Sequence, residues 1–316
     1  MASTDRGRRP PGALAIAGAY AGTVIGAGFA SGQEILQFFT AFGRAGLLGV
    51  AVAFVLFAAF GIRMLELGRR FDARSYRTVV RFAGGRWGGP VLDGVLTAFL
   101  LGTAVAMASG AGAVGVEQFG WPRWVGSGLL TALTAATVLA GLHGVVRSIG
   151  FVAPVLITSV LVMSVYALVT ESGLGPALAW KGDPRLGAVP FWFIAAPLYV
   201  AYNSVLAVPV LTPLGPAASS PAALRWGGLL GGLGLALGAT AIHLAIAGHM
   251  PEAARWDIPL LQTARTFPSW VPVLYTVLLL AEVYTTAVAT LFGFASRLGE
   301  RGARWFGGAE IGRAHV

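Results

Sequence analysis

Four glycines and a carboxylate interrupt a long apolar segment near the start of the chain. The segment runs from about residue 13 to 42, and within it the run 22–34 reads GTVIGAGFASGQE. Lipid satisfies no backbone hydrogen bonds, so a helix that unwinds at this depth must be buried in protein or face a water-filled cavity. Interrupted helices of this kind form the mid-membrane substrate and ion sites of secondary transporters. This feature constrains the fold more than any other part of the sequence.

The composition is that of a membrane protein. Hydrophobic residues make up 56% of the 316 residues and charged residues only 11%, whereas soluble domains carry about 25% charged residues. We therefore expect an all-α polytopic membrane protein. The net charge of +9 comes from arginines in short loops between apolar segments, which is the pattern of the positive-inside rule and not of nucleic-acid binding. The chain has no cysteine, which excludes disulfides, thiol catalysis and cysteine metal sites.

Eight apolar stretches are predicted to cross the membrane, since a span needs about 20 residues. They are residues 13–41, 45–68, 90–116, 124–142, 148–170, 187–213, 222–248 and 271–297. Arginines concentrate before the first stretch and after the second and the eighth, so the N-terminus is predicted to lie in the cytoplasm. We expect one transmembrane domain, residues 1–309, without a soluble domain.

The last seven residues, 310–316, resemble the translation of a common sequencing adapter. We expect a non-native tail here, with the native chain continuing beyond about residue 309. The alternative is an ordinary polar tail. These seven residues do not enter the fold prediction.

The interrupted first span predicts a binding site for an anionic group. If the helix unwinds near Gly26-Ala27-Gly28, the half-helix that follows begins with free N–H groups at the positive end of its dipole. A substrate carboxylate would fit there, and the carbonyls freed on the other half could hold a cation. The alternative is close helix packing through small residues such as Gly22 and Gly26. The polar run Ser31–Glu34 favours a site, because acids inside a membrane are usually functional.

The sixth span carries a proline and several polar side chains at one depth. Pro197 removes one helical hydrogen bond and is expected to kink or break the helix. Tyr199, Tyr202 and Asn203 follow closely and are predicted to shape the substrate pocket. Two interrupted helices in corresponding places of two halves indicate a transporter site. The alternative is a simple proline kink.

The eighth span carries Glu282, Thr285 and Thr286 on one helical face. A carbonyl and two hydroxyls give oxygen-only ligation, which suits a hard cation. The alternative is that the threonines bond back to their own helix. The sequence contains no nucleophile–base set, phosphate loop or metal cluster, so we do not expect an enzyme.

The motif at residues 22–39, with Tyr202-Asn203 and Pro213-Leu214-Gly215, resembles the signature of the YkvI-type bacterial membrane proteins. More distantly, the chain is similar to the amino acid–polyamine–organocation transporters, which have the LeuT fold. That resemblance implies five-plus-five inverted repeats, at about 13–170 and 187–309, with broken helices 1 and 6. Eight spans would then be two short of a native ten. It also implies the cytoplasmic membrane of a bacterium.

The resemblance also implies the residues of two sites. Substrate binding is assigned to Gly26, Ala27, Gly28, Phe29, Tyr199, Tyr202 and Asn203. The ion site that the resemblance implies consists of the backbone of Gly22 and Ile25 with Glu282 and the hydroxyls of Thr285 and Thr286. We also expect Glu34 or Glu282 to titrate or to pair with a cationic group, so that both belong to the predicted ion or proton coupling residues. The chain departs from the sodium-coupled relatives at two places. Gln33 and Glu34 replace the arginine-bearing gate of those proteins, and Glu282 stands where they usually have a small residue. A proton could therefore replace or accompany sodium.

Together these features predict a secondary active transporter of a small amino-acid-like or amine solute. Transport would be coupled to sodium or protons by alternating access. The alternative is a solute-sensing membrane receptor, or a channel, with the same fold and no coupled transport. The expected partners are the solute and the lipid bilayer, with no nucleic acid, and no cofactor or metal is expected beyond the coupling ion.

Overall fold

The described part of the chain is α-helical and contains no strand. The computed structural model describes residues 10–73, 76–139, 158–264, 267–268 and 270–301. Its helices are α1 Ala13–Val24, α2 Ala27–Ser31, α3 Gln33–Phe38, α4 Arg44–Arg70, α5 Tyr76–Phe119, α6 Arg123–Leu139, α7 Thr158–Thr170, α8 Leu174–Ala179, α9 Trp192–Ala217, α10 Pro221–Ala247, α11 Pro259–Ala264 and α12 Trp270–Arg301. Short 3₁₀ turns occur at Thr40–Phe42, Pro184–Leu186 and Glu252–Arg255. The predicted all-α membrane class is confirmed.

Among the residues that the structure describes, four or five helices qualify as membrane spans, whereas hydropathy along the whole sequence predicted eight spans. Four are long and apolar enough by themselves: Arg44–Arg70, Gly94–Phe119, Pro221–Ala247 and Trp270–Leu291. The pair Trp192–Val208 and Val210–Ala217 is bent by 58° and makes a fifth if it is counted as one span. The structure therefore gives four or five spans among the residues it describes, where eight were predicted. Glycines divide the first predicted span, and the described part of the fourth, α6 at Arg123–Leu139, has 17 residues.

The described chain forms two compact units, and each takes segments from both halves of the sequence. The first unit draws on Met1–Ile25, Ile35–Gly89 and Leu178–His243. The second draws on Gly26–Glu34, Pro90–Ala177 and Leu244–Val316. The division into two sequential repeats stays a prediction. The predicted non-native tail lies outside the described residues, and so do residues 140–157, which include the end of the fourth predicted span and the beginning of the fifth.

Glycines allow close helix packing in the first unit. On α10, a Cβ at Gly227 would lie 2.6 Å from the side chain of Ile16, and a Cβ at Gly231 would lie 2.5 Å from the ring of Tyr20. Small residues four positions apart are a common means of bringing membrane helices together. Tyr20 also donates its hydroxyl to the Phe57 carbonyl at 2.8 Å, which joins α1 to α4.

In the second unit, α6 packs between α5 and α12. A Cβ at Gly126 of α6 would lie 2.5 Å from the Ala111 carbonyl oxygen of α5, so this crossing requires glycine. The hydroxyls of Thr137 and Tyr284 are 2.7 Å apart and link α6 to α12. These contacts position α12, which carries the candidate coupling residues.

The segment between α10 and α12 is attached to the ends of α5 and α6. The Asp257 N–H donates to Glu117 Oε1 at 2.8 Å, and the Arg123 guanidinium donates to the Asp257 carboxylate. Leu260 of α11 lies beside Gly32, where an added Cβ would be 3.3 Å from the Leu260 Cβ. This segment therefore packs against the second half of the broken first span.

Candidate functional site

The first predicted span leaves helical geometry at Ile25 and Gly26. Ile25 has φ −73° and ψ 103°, and Gly26 has φ −122° and ψ −170°. The Ile25 N–H still donates to the Ala21 carbonyl at 2.8 Å, and the Ala30 N–H donates to the Gly26 carbonyl at 3.0 Å. α1 therefore ends and α2 begins on either side of a short extended step, at the place where the glycine run predicted it.

A second interruption, which the sequence prediction did not include, follows at Gly32. This residue has φ +80° and ψ −5°, in the left-handed region that glycine adopts without strain. A Cβ here would lie 2.7 Å from Ile246 Cδ1 and 3.3 Å from Leu260 Cβ. α2 consequently has only five residues, Ala27–Ser31. The predicted half-helix is a little more than one turn, and its dipole is correspondingly small.

Glu34 folds back over the beginning of α2. A Cβ at Gly28 would meet Glu34 Oε1 at 2.0 Å and the carboxyl carbon at 2.6 Å, so the absence of a side chain at residue 28 provides the space for this carboxyl group. The neighbouring predicted substrate contacts, Ala27 and Phe29, are buried. A carboxyl group of the chain itself thus lies beside the turn that was predicted to receive a substrate carboxylate.

Helix α12 brings a predicted coupling residue to the break. Thr286 Oγ1 lies 3.7 Å from the position that a Cβ on Gly26 would take. On the same helical face, Glu282 is 5% exposed and Thr285 is 4% exposed. The Thr285 hydroxyl donates to the Glu282 backbone carbonyl at 3.1 Å and lies 3.5 Å from its carboxylate Oε2. Three oxygen-bearing side chains are therefore grouped on the part of α12 that meets the break.

The hydrogen bonds of these threonines match part of the alternative interpretation, in which the threonines bond back to their own helix. Thr285 bonds back to its own helix, and Thr290 does the same to the Thr286 carbonyl at 2.7 Å. A hydroxyl that donates its proton still has lone pairs with which it can accept or coordinate. Gly22 and Ile25, whose backbone was predicted to complete the site, belong to the first unit. The role of this group as an ion site stays a prediction.

Tyr275 is a residue of this region that sequence reasoning missed. Its side chain is buried, and its hydroxyl donates to the Ala30 carbonyl in α2. Because α2 ends at the next residue, this bond ties α12 to the short turn beside the break. The available signal was a tyrosine in a strongly apolar stretch seven residues before Glu282, since a buried phenol usually finds a hydrogen-bond partner.

The predicted substrate residues of the sixth span lie in the first unit, on α9. Tyr199 is buried, and its ring centroid is 5.4 Å from Phe38 and 5.0 Å from Phe39. The rings of Tyr199 and Tyr202 are 5.6 Å apart. Asn203 is also buried and donates its side-chain amide to the Tyr199 carbonyl at 3.1 Å. The three residues form an aromatic and amide cluster, and their contact with a solute stays a prediction.

The interruption of α9 was predicted at the wrong proline. The parts Trp192–Val208 and Val210–Ala217 are inclined by 58°, and the residue between them is Pro209. Pro197 lies in the second turn of the helix. Because only about one turn precedes it, its missing hydrogen bond has little effect on the direction of the helix. Pro209 has four helical turns before it, so its missing N–H affects the course of the whole helix.

His243 bridges α10 to the turn that follows α3. Its Nδ1 is 3.1 Å from the Thr40 hydroxyl, and both side chains are buried. The indole N–H of Trp180 donates to the Thr40 carbonyl at 2.8 Å. This network lies within the first unit and joins α10 to the turn at Thr40–Phe42.

Two curated proteins are similar to the chain over most of its length. The chain is 32% identical to the uncharacterized membrane protein YkvI of Bacillus subtilis (strain 168) over 280 residues, which cover 88% of this chain and 79% of YkvI. It is 26% identical to the uncharacterized protein YyaD of the same organism over 282 residues, which cover 88% of this chain and 78% of YyaD. No protein-family model matches the chain.

Proposed function

We propose that this chain, which belongs to the YkvI family of membrane proteins, is a secondary active transporter of a small amine or amino-acid-like solute. It works by alternating access in the bacterial cytoplasmic membrane, with its N-terminus in the cytoplasm. The observation that carries this proposal is the contact between the broken first span and α12: Thr286 lies beside Gly26, with Glu282 buried on the same face. An unwound membrane helix beside a buried acid lowers the stability of a protein, and features of this kind usually serve a function.

The oxygen atoms on α12 favour sodium or a proton as the coupling ion. Glu282 supplies a carboxyl group, and Thr285 and Thr286 supply hydroxyl oxygens, which together form a ligand set suited to hard cations. A carboxylate in the protein interior carries a large desolvation penalty, so Glu282 requires either a bound cation or a proton. Binding and release of that cation or proton would then be linked to the conformation of the chain at Gly26. The proposal includes no chemical conversion of the solute and no other cofactor.

Glu34 favours an amine within the predicted class of solutes. Its carboxyl group lies against Gly28 at the beginning of a helix of only five residues. A solute carboxylate at this turn would face a group of like charge and only a small helix dipole. An ammonium group would instead face an opposite charge. We therefore propose that the cationic end of the solute binds near Glu34.

The first test is ligand-dependent thermal stabilisation of the purified protein. Monoamines, diamines and amino acids are screened in sodium, in potassium and from acidic to neutral pH. A ligand at 100 times its Kd raises the free energy of unfolding by about 2.7 kcal/mol. A response that requires sodium indicates sodium coupling, and one that follows pH indicates proton coupling. A response to amines without one to amino acids supports the role of Glu34.

Uptake into proteoliposomes separates a transporter from the alternatives. A transporter accumulates the solute against its gradient when a sodium or proton gradient is imposed. Binding without flux would support a receptor, and flux only down the solute gradient would support a channel. Unchanged uptake and pH dependence in both Glu34→Gln and Glu282→Gln would contradict the residue assignment, even if the chain transports.

A further inference from the structure

The connection between α4 and the membrane part of α5 is strongly basic. It follows the membrane helix Arg44–Arg70, and the next membrane helix begins at Gly94. Residues 69–86 include six of the 22 basic residues of the chain and a single acid, Asp72. A segment that joins two consecutive crossings lies at one surface of the bilayer, and the charge bias assigns this surface to the cytoplasm. We call residues 69–89 the basic connection.

Two large aromatic side chains of the basic connection are exposed. Trp87 is 83% exposed and Phe82 is 60% exposed, although the rings of Phe82 and Phe71 are only 4.8 Å apart. Exposed rings of this size are unfavourable in water. The boundary between lipid headgroups and acyl chains is the medium that favours them, tryptophan above all.

The described backbone of the basic connection, residues 69–73 and 76–89, is largely helical. The helical run that begins at Tyr76 is interrupted at Gly85, which has φ 58° and ψ −160°. Val79 is only 1% exposed and anchors the part before the interruption on the first unit. The aromatic residues Phe82 and Trp87 thus stand on either side of a turn rather than along one straight helix.

Arginine side chains lie next to the aromatic rings of this element. The Arg86 guanidinium carbon is 5.7 Å from the ring centre of Trp87, and that of Arg70 is 5.9 Å from the ring centre of Phe71. Arg69, Arg70 and Arg86 are exposed. A guanidinium group presents several N–H donors in a geometry that matches phosphate oxygens. Basic groups beside exposed rings are typical of elements that lie in a membrane surface.

We propose that the basic connection is a binding surface for anionic phospholipids of the cytoplasmic leaflet. The arginines bind the phosphate groups, and Trp87 and Phe82 lie at the level of the upper acyl chains. The occupant is a lipid and not free phosphate, because the exposed rings require an apolar medium at the same place as the charges. The surface uses none of the residues of the proposed transport function and does not depend on that function.

The test measures lipid selectivity of the full chain reconstituted in bilayers. Spin-labelled phosphatidylglycerol and spin-labelled phosphatidylcholine are the probes, and the motionally restricted fraction of each in the electron paramagnetic resonance spectrum gives its relative affinity. A basic side chain near an anionic membrane surface contributes about 1 kcal/mol, or about fivefold in affinity. We expect phosphatidylglycerol to be preferred about fivefold or more at low salt, and the preference to fall as salt is raised.

Matched variants assign this preference to the basic connection. Arg70→Gln/Arg86→Gln removes two exposed charges from the connection, and Lys181→Gln/Arg255→Gln removes two charges from loops on the predicted opposite side. The first variant should lower the preference for phosphatidylglycerol several-fold, whereas the second should keep it. Equal losses in both variants, or no loss in the first, would overturn the proposal.

A measurement on Trp87 tests the proposal without removing charge. Lipids brominated near the headgroup end of the acyl chain quench tryptophans at that depth, and iodide in the buffer quenches those in water. Trp87→Phe should remove part of the quenching by the brominated lipid and leave the quenching by iodide unchanged. If the variant instead loses iodide quenching, Trp87 lies in water and the surface does not contact lipid.

Discussion

The first and the sixth predicted spans are both interrupted, but by different means. In the first, the backbone is extended at Ile25 and Gly26 and left-handed at Gly32, so three short helices replace one. In the sixth, the helix continues over 26 residues and bends by 58° at Pro209. Glycine allows the chain to leave helical geometry altogether, whereas proline removes one hydrogen bond and changes the direction of a helix that persists.

The two kinds of interruption leave different groups for binding. Next to the glycine break, the Ala30 carbonyl receives a hydrogen bond from Tyr275 on a distant helix. In the bent helix, the Asn203 amide bonds to the Tyr199 carbonyl of the same helix. We therefore expect backbone groups to contribute to binding at the first span and side chains to contribute at the sixth.

The largest expected effect is that of Gly32→Ala. An alanine here must adopt φ +80° and place its Cβ 2.7 Å from Ile246 and 3.3 Å from Leu260. Left-handed strain and overpacking together should lower the free energy of unfolding by about 3 kcal/mol, measured by SDS titration in detergent micelles. Gly102→Ala is the control, because a Cβ at residue 102 meets no atom within 4 Å. A cost equal to the control would mean that the left-handed turn is not required.

Thr286→Val should selectively weaken the response to the coupling ion. The substitution removes the hydroxyl that lies beside Gly26 and leaves the rest of α12 in place. If the affinity for the ion falls tenfold, the stabilisation by a saturating ion falls by about 1.4 kcal/mol. For sodium, this is measured as a smaller difference between the free energies of unfolding in sodium and in potassium. For a proton, it is measured as a weaker dependence of the free energy of unfolding on pH. Thr290→Val is the matched control, since the Thr290 hydroxyl bonds to the Thr286 carbonyl. Equal responses in the two variants would argue against an ion site here.

A smaller effect, a difference of about 1 kcal/mol in the free energy of unfolding, is expected between Tyr275→Phe and Tyr20→Phe. Tyr275 donates to Ala30 at the end of a five-residue helix, whereas Tyr20 donates to Phe57 in the middle of the continuous α4. Loss of the first bond should cost about 2 kcal/mol and loss of the second about 1 kcal/mol, because a carbonyl inside a long helix keeps its helical partner. Parallel unfolding titrations measure the difference. A larger cost for Tyr20→Phe would mean that the short turn does not depend on α12.

The break near Gly26 was predictable because its cause is local. Glycine-rich sequence in an apolar segment weakens the helix wherever it occurs, and the composition alone indicated the membrane class. The second interruption at Gly32 depends on Ile246 and Leu260, more than 200 residues away in the chain. The same is true of Tyr275 and its bond to Ala30. Contacts of this sequence separation leave no pattern in the first span itself.

The prediction for the sixth span was wrong for a different reason. Its sequence contains two prolines, and a local rule treats both in the same way. Pro197 and Pro209 both lack an N–H, but their effects depend on where the helix begins. The structure begins α9 at Trp192, which leaves Pro197 in the second turn. Predicting the right proline would have required the helix boundary, which is the least certain part of a sequence-based prediction.

The smallest expected effect distinguishes the two prolines by a distance within α9. Because the chain has no cysteine, nitroxide labels can be attached at Ile194→Cys and Ala217→Cys, both of which are exposed. A straight helix would separate these backbone positions by about 34 Å, and a 58° bend at residue 209 shortens this to about 31 Å. Pro209→Ala should therefore lengthen the distance by about 3 Å in pulsed electron paramagnetic resonance, and Pro197→Ala should leave it unchanged. The reverse result would return the interruption to Pro197 and make the sixth span break near Tyr199, as the sequence alone had predicted.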